Sequence, residues 1–376
     1  MKHFFLHLTA KIPLFALVFI PILVCFTLVC SSCTSSSSQV ENQKKETNNK
    51  PNPITNPTNK IINLDSTQIT SKKEIKNDKN DPYYDGEKVG WITDSNYVEP
   101  KEVVPTFTPR KVESKIIWKV FEEGLEYAEF DAPIKSNIAD SKISVLRIDL
   151  DFFELDLISS LEKLSENSFD KKGTKTAPKW AKAEQLIAAF NASMFQMDGT
   201  SAGYMKDFDF VNNPNFTEKY NSIAAFNLKE EAKSKNLPEF QIIDKDNSCG
   251  NWEETIKNYN TLIQNLRLVD CNQKNRWGNQ KRYWSMVVLA EDMNSNALFI
   301  HTRSPYNVQM YNDMLLKSEL NIKKIMYLEG GPETSFFIKY GDSVISKQGS
   351  YETNFYLSDE NHRFWDIPNV LGVKKR

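Results

Sequence analysis

Glu329 closes a short apolar run, Ile325–Leu328, and two glycines and a proline follow it at once. A carboxylate delivered to a strand tip can serve as nucleophile or general base. Gly330 and Gly331 carry no side chains, so a ligand can approach the backbone there, and exposed N–H groups in such a turn form a concavity for anions. Three further places carry matching chemistry. His301 and Arg303 sit at the end of the apolar stretch "ALFIHTRS", a proton donor beside a guanidinium suited to bidentate anion recognition. Arg282 stands just ahead of "YWSMVVLAED", a run that also holds Ser285. Asn191 ends "IAAFN", and Asp198 follows in a "DGTSAG" loop, both polar side chains able to shape the turn. Each residue also has a plain reading: a solvated glutamate, surface ion-pairing arginines, a satisfied histidine, a turn-forming asparagine.

The elements that must position these residues are legible in part. "KIIWKVFEEGLEYAEF" reads as a hairpin broken at Gly124, and "KISVLRIDLDFFEL" alternates as one strand with Leu146, Ile148, Leu150 and Phe152 on one side. Asp149 and Asp151 on the other side are a polar strand face or a metal pair, the former being the simpler reading. Thr176 and Pro178 open a helix in which Trp180, Ala183 and Ile187 recur at helical spacing, and it gives way to the Asn191 strand. "YNDMLLKSEL" is a second helix leading into the Glu329 strand. "SFFIKYGDSVIS" is a hairpin turning at Gly341-Asp342, and "IPNVLGV" is a closing strand. The fold class expected is α+β, a mixed α/β domain of largely antiparallel sheets with flanking helices.

Taken in order, these segments resemble the phosphodiester glycosidase family, which includes many exported bacterial proteins. The resemblance spans about Lys115 to Val373. It rests on Asn191–Phe195 with Asp198, Gly199 and Gly203, on Arg282 with Ser285, and on Leu328–Gly331. The family's usual Asp-Gly-Gly is here Glu329-Gly330-Gly331-Pro332-Glu333, one methylene longer at the acid. The resemblance implies a glycosidase acting on a sugar-1-phosphodiester, whose phosphate leaving group is already a weak base and needs little protonation. Glu329 and His301 are then the catalytic candidates. Arg303, Arg282, Asn191, Asp198, Gly330 and Gly331 are the candidates for holding substrate or phosphate. The resemblance also implies a divalent cation such as calcium as a candidate cofactor at Asp198; the metal itself is unknown. The alternative is a non-catalytic glycan- or phosphate-binding surface lipoprotein on the same fold.

The remainder of the chain concerns location. Ile12–Val29 is uncharged and apolar, and "CSSCTSSSS" follows, so residues 1–33 read as an export signal. The serine run after "VCSSC" fits a bacterial lipoprotein with Cys33 acylated; an ordinary cleaved signal and an uncleaved anchor are the alternatives. Residues 34–110 are a polar tether rich in Asn, Lys, Pro and Ser, too poor in apolar surface to fold, and residues 111–376 are the glycosidase-like domain. Expected partners are a glycan or sugar phosphate and a membrane reached through the lipid, at an extracytoplasmic location. A formal net charge of −2 over 376 residues argues against nucleic acid. Cys249 and Cys271, the two cysteines beyond the signal, are expected to form a disulfide, and His301 and His362 show no metal-ligand spacing. Growth with radiolabelled palmitate should label the wild-type chain and leave Cys33→Ser unlabelled; equal labelling of both contradicts acylation at Cys33.

Overall fold

The computed structural model describes residues 103–112, 115–164, 173–246 and 249–376. The export signal, Cys33 and most of the tether lie outside the described residues. In chain order the early strands are β1 (Phe107–Pro109), β2 (Lys119–Glu122), β3 (Leu125–Asp131), β4 (Ile134–Ser136), β5 (Lys142–Ile148), β6 (Phe153–Ser159) and β7 (Ala188–Asn191). Next come β8 (Met205–Asp207), β9 (Phe210–Asn213), β10 (Ser222–Leu228), β11 (Phe240–Asp244), β12 (Tyr259–Asn265) and β13 (Arg267–Val269). The last are β14 (Trp284–Asp292), β15 (Ala297–Tyr306), β16 (Ile322–Gly330), β17 (Ser335–Tyr340), β18 (Ser343–Gln348) and β19 (Asn369–Lys375). Among the described residues four short α-helices interrupt them: α1 (Ser160–Lys163), α2 (Ala177–Glu184), α3 (Trp252–Ile256) and α4 (Val308–Leu316).

A seven-stranded sheet in the order β13-β16-β14-β15-β5-β3-β2 is the frame, joined by two five-stranded sheets, β18-β17-β7-β19-β6 and β11-β10-β12-β8-β9. A two-stranded ribbon pairs β1, from within the 34–110 segment, with β4. The pairings among the described residues are antiparallel, so the antiparallel expectation holds. The helical contribution is smaller than expected: short caps rather than a flanking layer.

The sheets meet around one apolar core. Phe299 of β15 stacks on Phe190 of β7 with centroids 3.9 Å apart, and Phe336 of β17 closes edge-on at 4.9 Å. These fully buried rings fix the seven-stranded sheet against the β7 sheet. Helix α4 covers the opposite face of the large sheet through Val308, Tyr311, Met314 and Leu315. Helix α2 covers the outer face of the β7 sheet through Trp180. It is capped as its sequence dictates, Thr176 accepting from the Lys179 N–H and Pro178 in the first turn.

Most expected elements appear where the sequence puts them, including the Gly124 hairpin, the hairpin at Gly341 and the closing strand. One does not. The strand expected across residues 142–155 is two, β5 and β6, which enter different sheets. Asp149 makes the corner: its Oδ1 accepts from the Asp151 N–H at 2.9 Å, and its carbonyl accepts from Phe152 and Phe153. That aspartate therefore builds a turn, not a metal pair.

Cys249 and Cys271 are bonded, with Cα atoms 6.1 Å apart, and clamp the segment after β11 to the loop after β13. Buried Asp244 accepts from the Cys271 N–H at 2.8 Å, so the bridge is seated on a buried carboxylate. Replacing both cysteines by alanine should lower the unfolding free energy by about 3 kcal/mol in the chain-entropy picture. Urea denaturation of the wild type and the double variant measures this, and identical midpoints refute it.

Candidate active site

The Glu329 turn is built by a bulge and three asparagines. Along β16 the pairing with β14 shifts: Val287 faces Glu329 while Val288 faces Tyr327. The extra residue breaks the ladder, and the Leu328 carbonyl is taken instead by buried Asn265 of β12, at 3.2 Å. The chain then makes a 3-10 turn, Gly331–Glu333, before β17. Asn191, at the end of β7, braces that turn from below. Its Nδ2 donates to the Glu333 carbonyl at 3.0 Å, and its Oδ1 accepts from the Ser335 N–H at 2.6 Å. Asn361 braces it from the other side, donating to the carbonyls of Pro332 and Gly349 at 3.2 and 2.7 Å.

The two glycines are needed for room. A side chain on Gly330 would collide with the Tyr327 hydroxyl and the Trp284 ring, and one on Gly331 would collide with the Glu352 carboxylate. Gly331 also sits at φ +64, where other residues are strained. The pair does not present the anion-binding concavity expected of it: the Gly330 N–H donates to Oε1 of Glu329 at 3.0 Å, and Gly331 is buried.

The packing produces a cluster of acids. Glu352 arrives from the loop after β18, bridged to Trp284 on one side and Tyr356 on the other. Part of the Glu329 surface reaches solvent, but its carboxyl is enclosed. That burial first, and then the charges of Glu333 and Glu352, push its proton affinity well above the usual carboxylate range, against the opposing Gly330 hydrogen bond. Burial, joined by Glu352, pushes Glu333 up to about 7. Burial raises Glu352 as well, but the Arg282 charge opposes the rise, so Glu352 has a cation favouring its charged form. Tyr220, raised by burial and by the Glu329 charge, and the buried Tyr327 complete the wall. Three carboxyls so placed cannot all ionise near neutrality.

The sequence candidates separate into two groups. Asn191, Arg282, Glu329, Gly330 and Gly331 converge on this turn, Asn191 as its brace rather than as a free ligand, since both ends of its amide are bonded to backbone. His301 and Arg303 do not join them. In register, Ser144, His301, Val287 and Glu329 form one row across β5, β15, β14 and β16. His301 is thus two strand spacings from Glu329, about 10 Å between backbones. It is buried; that burial, with the Lys347 and Arg303 charges, lowers it to about 3, so at neutral pH its ring is neutral and does not serve as a general acid. Arg303 is committed: Nε pairs with Asp359 at 2.8 Å, and its two terminal nitrogens donate to the carbonyls of Gln348, Asp359 and Asn361. Asp198 lies at an exposed turn, its Oδ1 accepting from the N–H and hydroxyl of Thr200. Among the described residues, three metal-type ligand atoms gather within 4.8 Å at Asp244, Cys249 and Cys271, whose sulfurs the disulfide uses, and not at Asp198. Sequence reasoning assigned no role to Glu333 or Glu352. Glu333 stood within the quoted motif, but nothing around Glu352 in "SYETNFY" signals that it folds back onto Gly331.

Comparison with known proteins supplies the context for this cluster. A sequence model described as phosphodiester glycosidase matches residues 184–374, from the end of α2 through β19. Among solved structures, a hypothetical protein from Synechocystis aligns with a TM-score of 0.46 at 12% identity, over 70% of this chain and 64% of that one. This match therefore spans less than two thirds of the Synechocystis protein. The catalytic domain of zebrafish N-acetylglucosamine-1-phosphodiester alpha-N-acetylglucosaminidase, auto-inhibited by its pro-peptide, aligns with a TM-score of 0.45 at 11% identity, over 73% of this chain and 89% of that one. No curated protein matches in sequence.

The raised carboxyls carry a linkage signature with a definite sign. An unfolded glutamate ionises near 4.5, whereas folded Glu333 does so at about 7. Between those values the unfolded chain binds fewer protons, so this group's contribution makes stability fall as pH rises through the window. Chemical denaturation of wild type and Glu333→Gln across about pH 5 to 7.5 should show the steeper decline in the wild type. Parallel profiles contradict the assignment.

Proposed function

The chain belongs to the phosphodiester glycosidase family, a family of hydrolases, and we propose that it hydrolyses a sugar-1-phosphodiester in a surface or environmental glycan, from an exported position held to a membrane at Cys33. Water attacks the anomeric carbon, the bond from that carbon to the phosphate oxygen breaks, and free sugar and a phosphomonoester leave. The observation that carries the reading is the grouping of Glu329, Glu333 and Glu352 at the end of β16, inside the segment matched to the family.

The environments divide the labour. Glu352, beside Arg282, is the carboxyl most easily held charged and supplies the base or nucleophile. Glu329, whose surroundings favour the protonated form, shifts from the nucleophile expected of it to the proton donor. Glu333, with a value of about 7, exchanges its proton near neutral pH and tunes both neighbours. Arg282 is exposed and free to meet a phosphate, whereas Arg303 is spent on Asp359.

Glu329→Gln and Glu352→Gln should each cut release of reducing sugar from a panel of sugar 1-phosphodiesters by about 10²–10⁴-fold, the range for losing a general acid or base. Folding should be retained by thermal melt. Arg282→Ala should raise KM more than it lowers kcat. A wild-type protein that binds such compounds without releasing sugar is a binding module, and that result defeats the enzymatic reading.

A further inference from the structure

His301 and His362, far apart in sequence and without ligand spacing, line one cavity of about 380 Å³ together with Lys142, Arg303 and Lys347. Glu329, Glu333 and Glu352 do not line it. From this geometry we infer a second binding site, for a phosphate-class oxyanion carried on a small polar molecule, at the cavity walled by His301, Lys142 and Lys347.

Three observations carry it. The first is an orphan: His301 is 2% exposed, and its Nε2 has no hydrogen-bond partner. A buried polar nitrogen left bare is destabilising, and a ligand oxygen in the cavity would satisfy it as an acceptor for an Nε2–H. The second is unspent positive charge. Glu129 stands behind the wall and is shared by both lysines, at 3.3 Å from Lys142 and 2.6 Å from Lys347. One carboxylate thus serves two ammonium groups, each with three donors. Burial opposes charge on Glu129, yet the lysines and the Ser144 hydroxyl hold it down at about 2, so it stays ionised; these three groups together carry one positive charge, and Asp140, the other acid of the lining, not paired with Arg303, is exposed and screened by water. The third is the field at the ring: Lys347 and Arg303 disfavour a protonated His301 more than Glu129 favours one. That potential attracts an anion as it repels a proton.

The rest of the lining sets the chemical class. Ser144, Ser346 and Gln348 are uncharged polar groups fit for hydroxyls, and Asp140 and Asp359 stand at the wall as acceptors. Asp359 is neutralised by Arg303. The volume is larger than a bare phosphate needs. A sugar phosphate fits the mixture: cations for the phosphoryl group, serines and carboxylates for ring hydroxyls. The inference does not require Glu329 to turn over any substrate, because the two sets of side chains are distinct.

Calorimetric titration of the full-length protein with inorganic phosphate and with glucose 6-phosphate tests it, glucose serving as the uncharged control. Both phosphates should bind saturably, the sugar phosphate at least as tightly, and glucose should not. Lys347→Met should weaken both by tenfold or more, and Lys142→Met should do the same. Each leaves Glu129 one lysine, and the fold is checked by thermal melt. In protein carrying ¹⁵N-labelled histidine, the His301 ring signals should move on adding phosphate, in wild type and in Glu329→Gln alike. Absence of saturable phosphate binding, binding unaltered by both lysine changes, or binding that leaves the His301 signals in place overturns the site. Failure of sugar release leaves these readouts untouched, so the two readings fail separately.

Discussion

The cost of ionising three carboxyls at one enclosed strand end governs the site. Glu329, Glu333 and Glu352 share the turn after β16 and raise one another's proton affinity on top of what burial does. Such crowding disfavours the fold at neutral pH, and something must hold it in place. The holding groups are neutral amides. Asn191 ties β7 to the backbone on both sides of Thr334. Asn361 ties the loop before β19 to Pro332 and Gly349. Asn265 satisfies the carbonyl that the bulge leaves bare. Amides suit this work because each offers a donor and an acceptor and adds no charge to a place already over-supplied with it.

The same logic explains why glycine stands twice in the turn. Tyr327, Trp284 and Glu352 fill the volumes that side chains at Gly330 and Gly331 would need. The glycines admit the acids and aromatics to one another rather than admitting a ligand to the backbone. Ser285 extends the framework, its hydroxyl donating to the Arg303 carbonyl and accepting from the Ser350 N–H, so the loop that brings Glu352 is pinned to two strands of the large sheet.

How much of this could be read from the chain alone follows from the range of each interaction. Strands with a buried face wrote themselves as alternation or apolar runs, and β7, β14, β15, β16 and β17 fell where expected. The helix at Thr176 announced itself through a local cap. The corner at Asp149 was hidden, because the alternation runs on through it and only the switch between sheets reveals the turn. Asn191 was visible as a residue of interest, but its partners lie 142 and 144 positions away, so its structural role was not. Glu352 carried no local signal at all, and Arg303 looked free because Asp359, its partner, follows 56 residues later. Pairing and proton affinity are properties of distant neighbours, and a linear reading assigns residue types to places without knowing what has already been spent.

Charge is sorted across a short distance in this fold. Acids that disfavour ionisation collect on one side of Asn361, and the cavity with bracketed lysines and a neutral imidazole lies on the other; Asn361 links them by accepting from Arg303 at its carbonyl while donating to Pro332 with its amide. A guanidinium set against Glu329 would stabilise the charged carboxylate and lower its raised proton affinity. The capture of Arg303 by Asp359 and three carbonyls spends its donors away from the acid cluster, and leaves exposed Arg282 as the cation that bears on Glu352. The difference in proton affinity within the cluster therefore depends on where each arginine is spent, which the sheet register and the loop after β18 decide together.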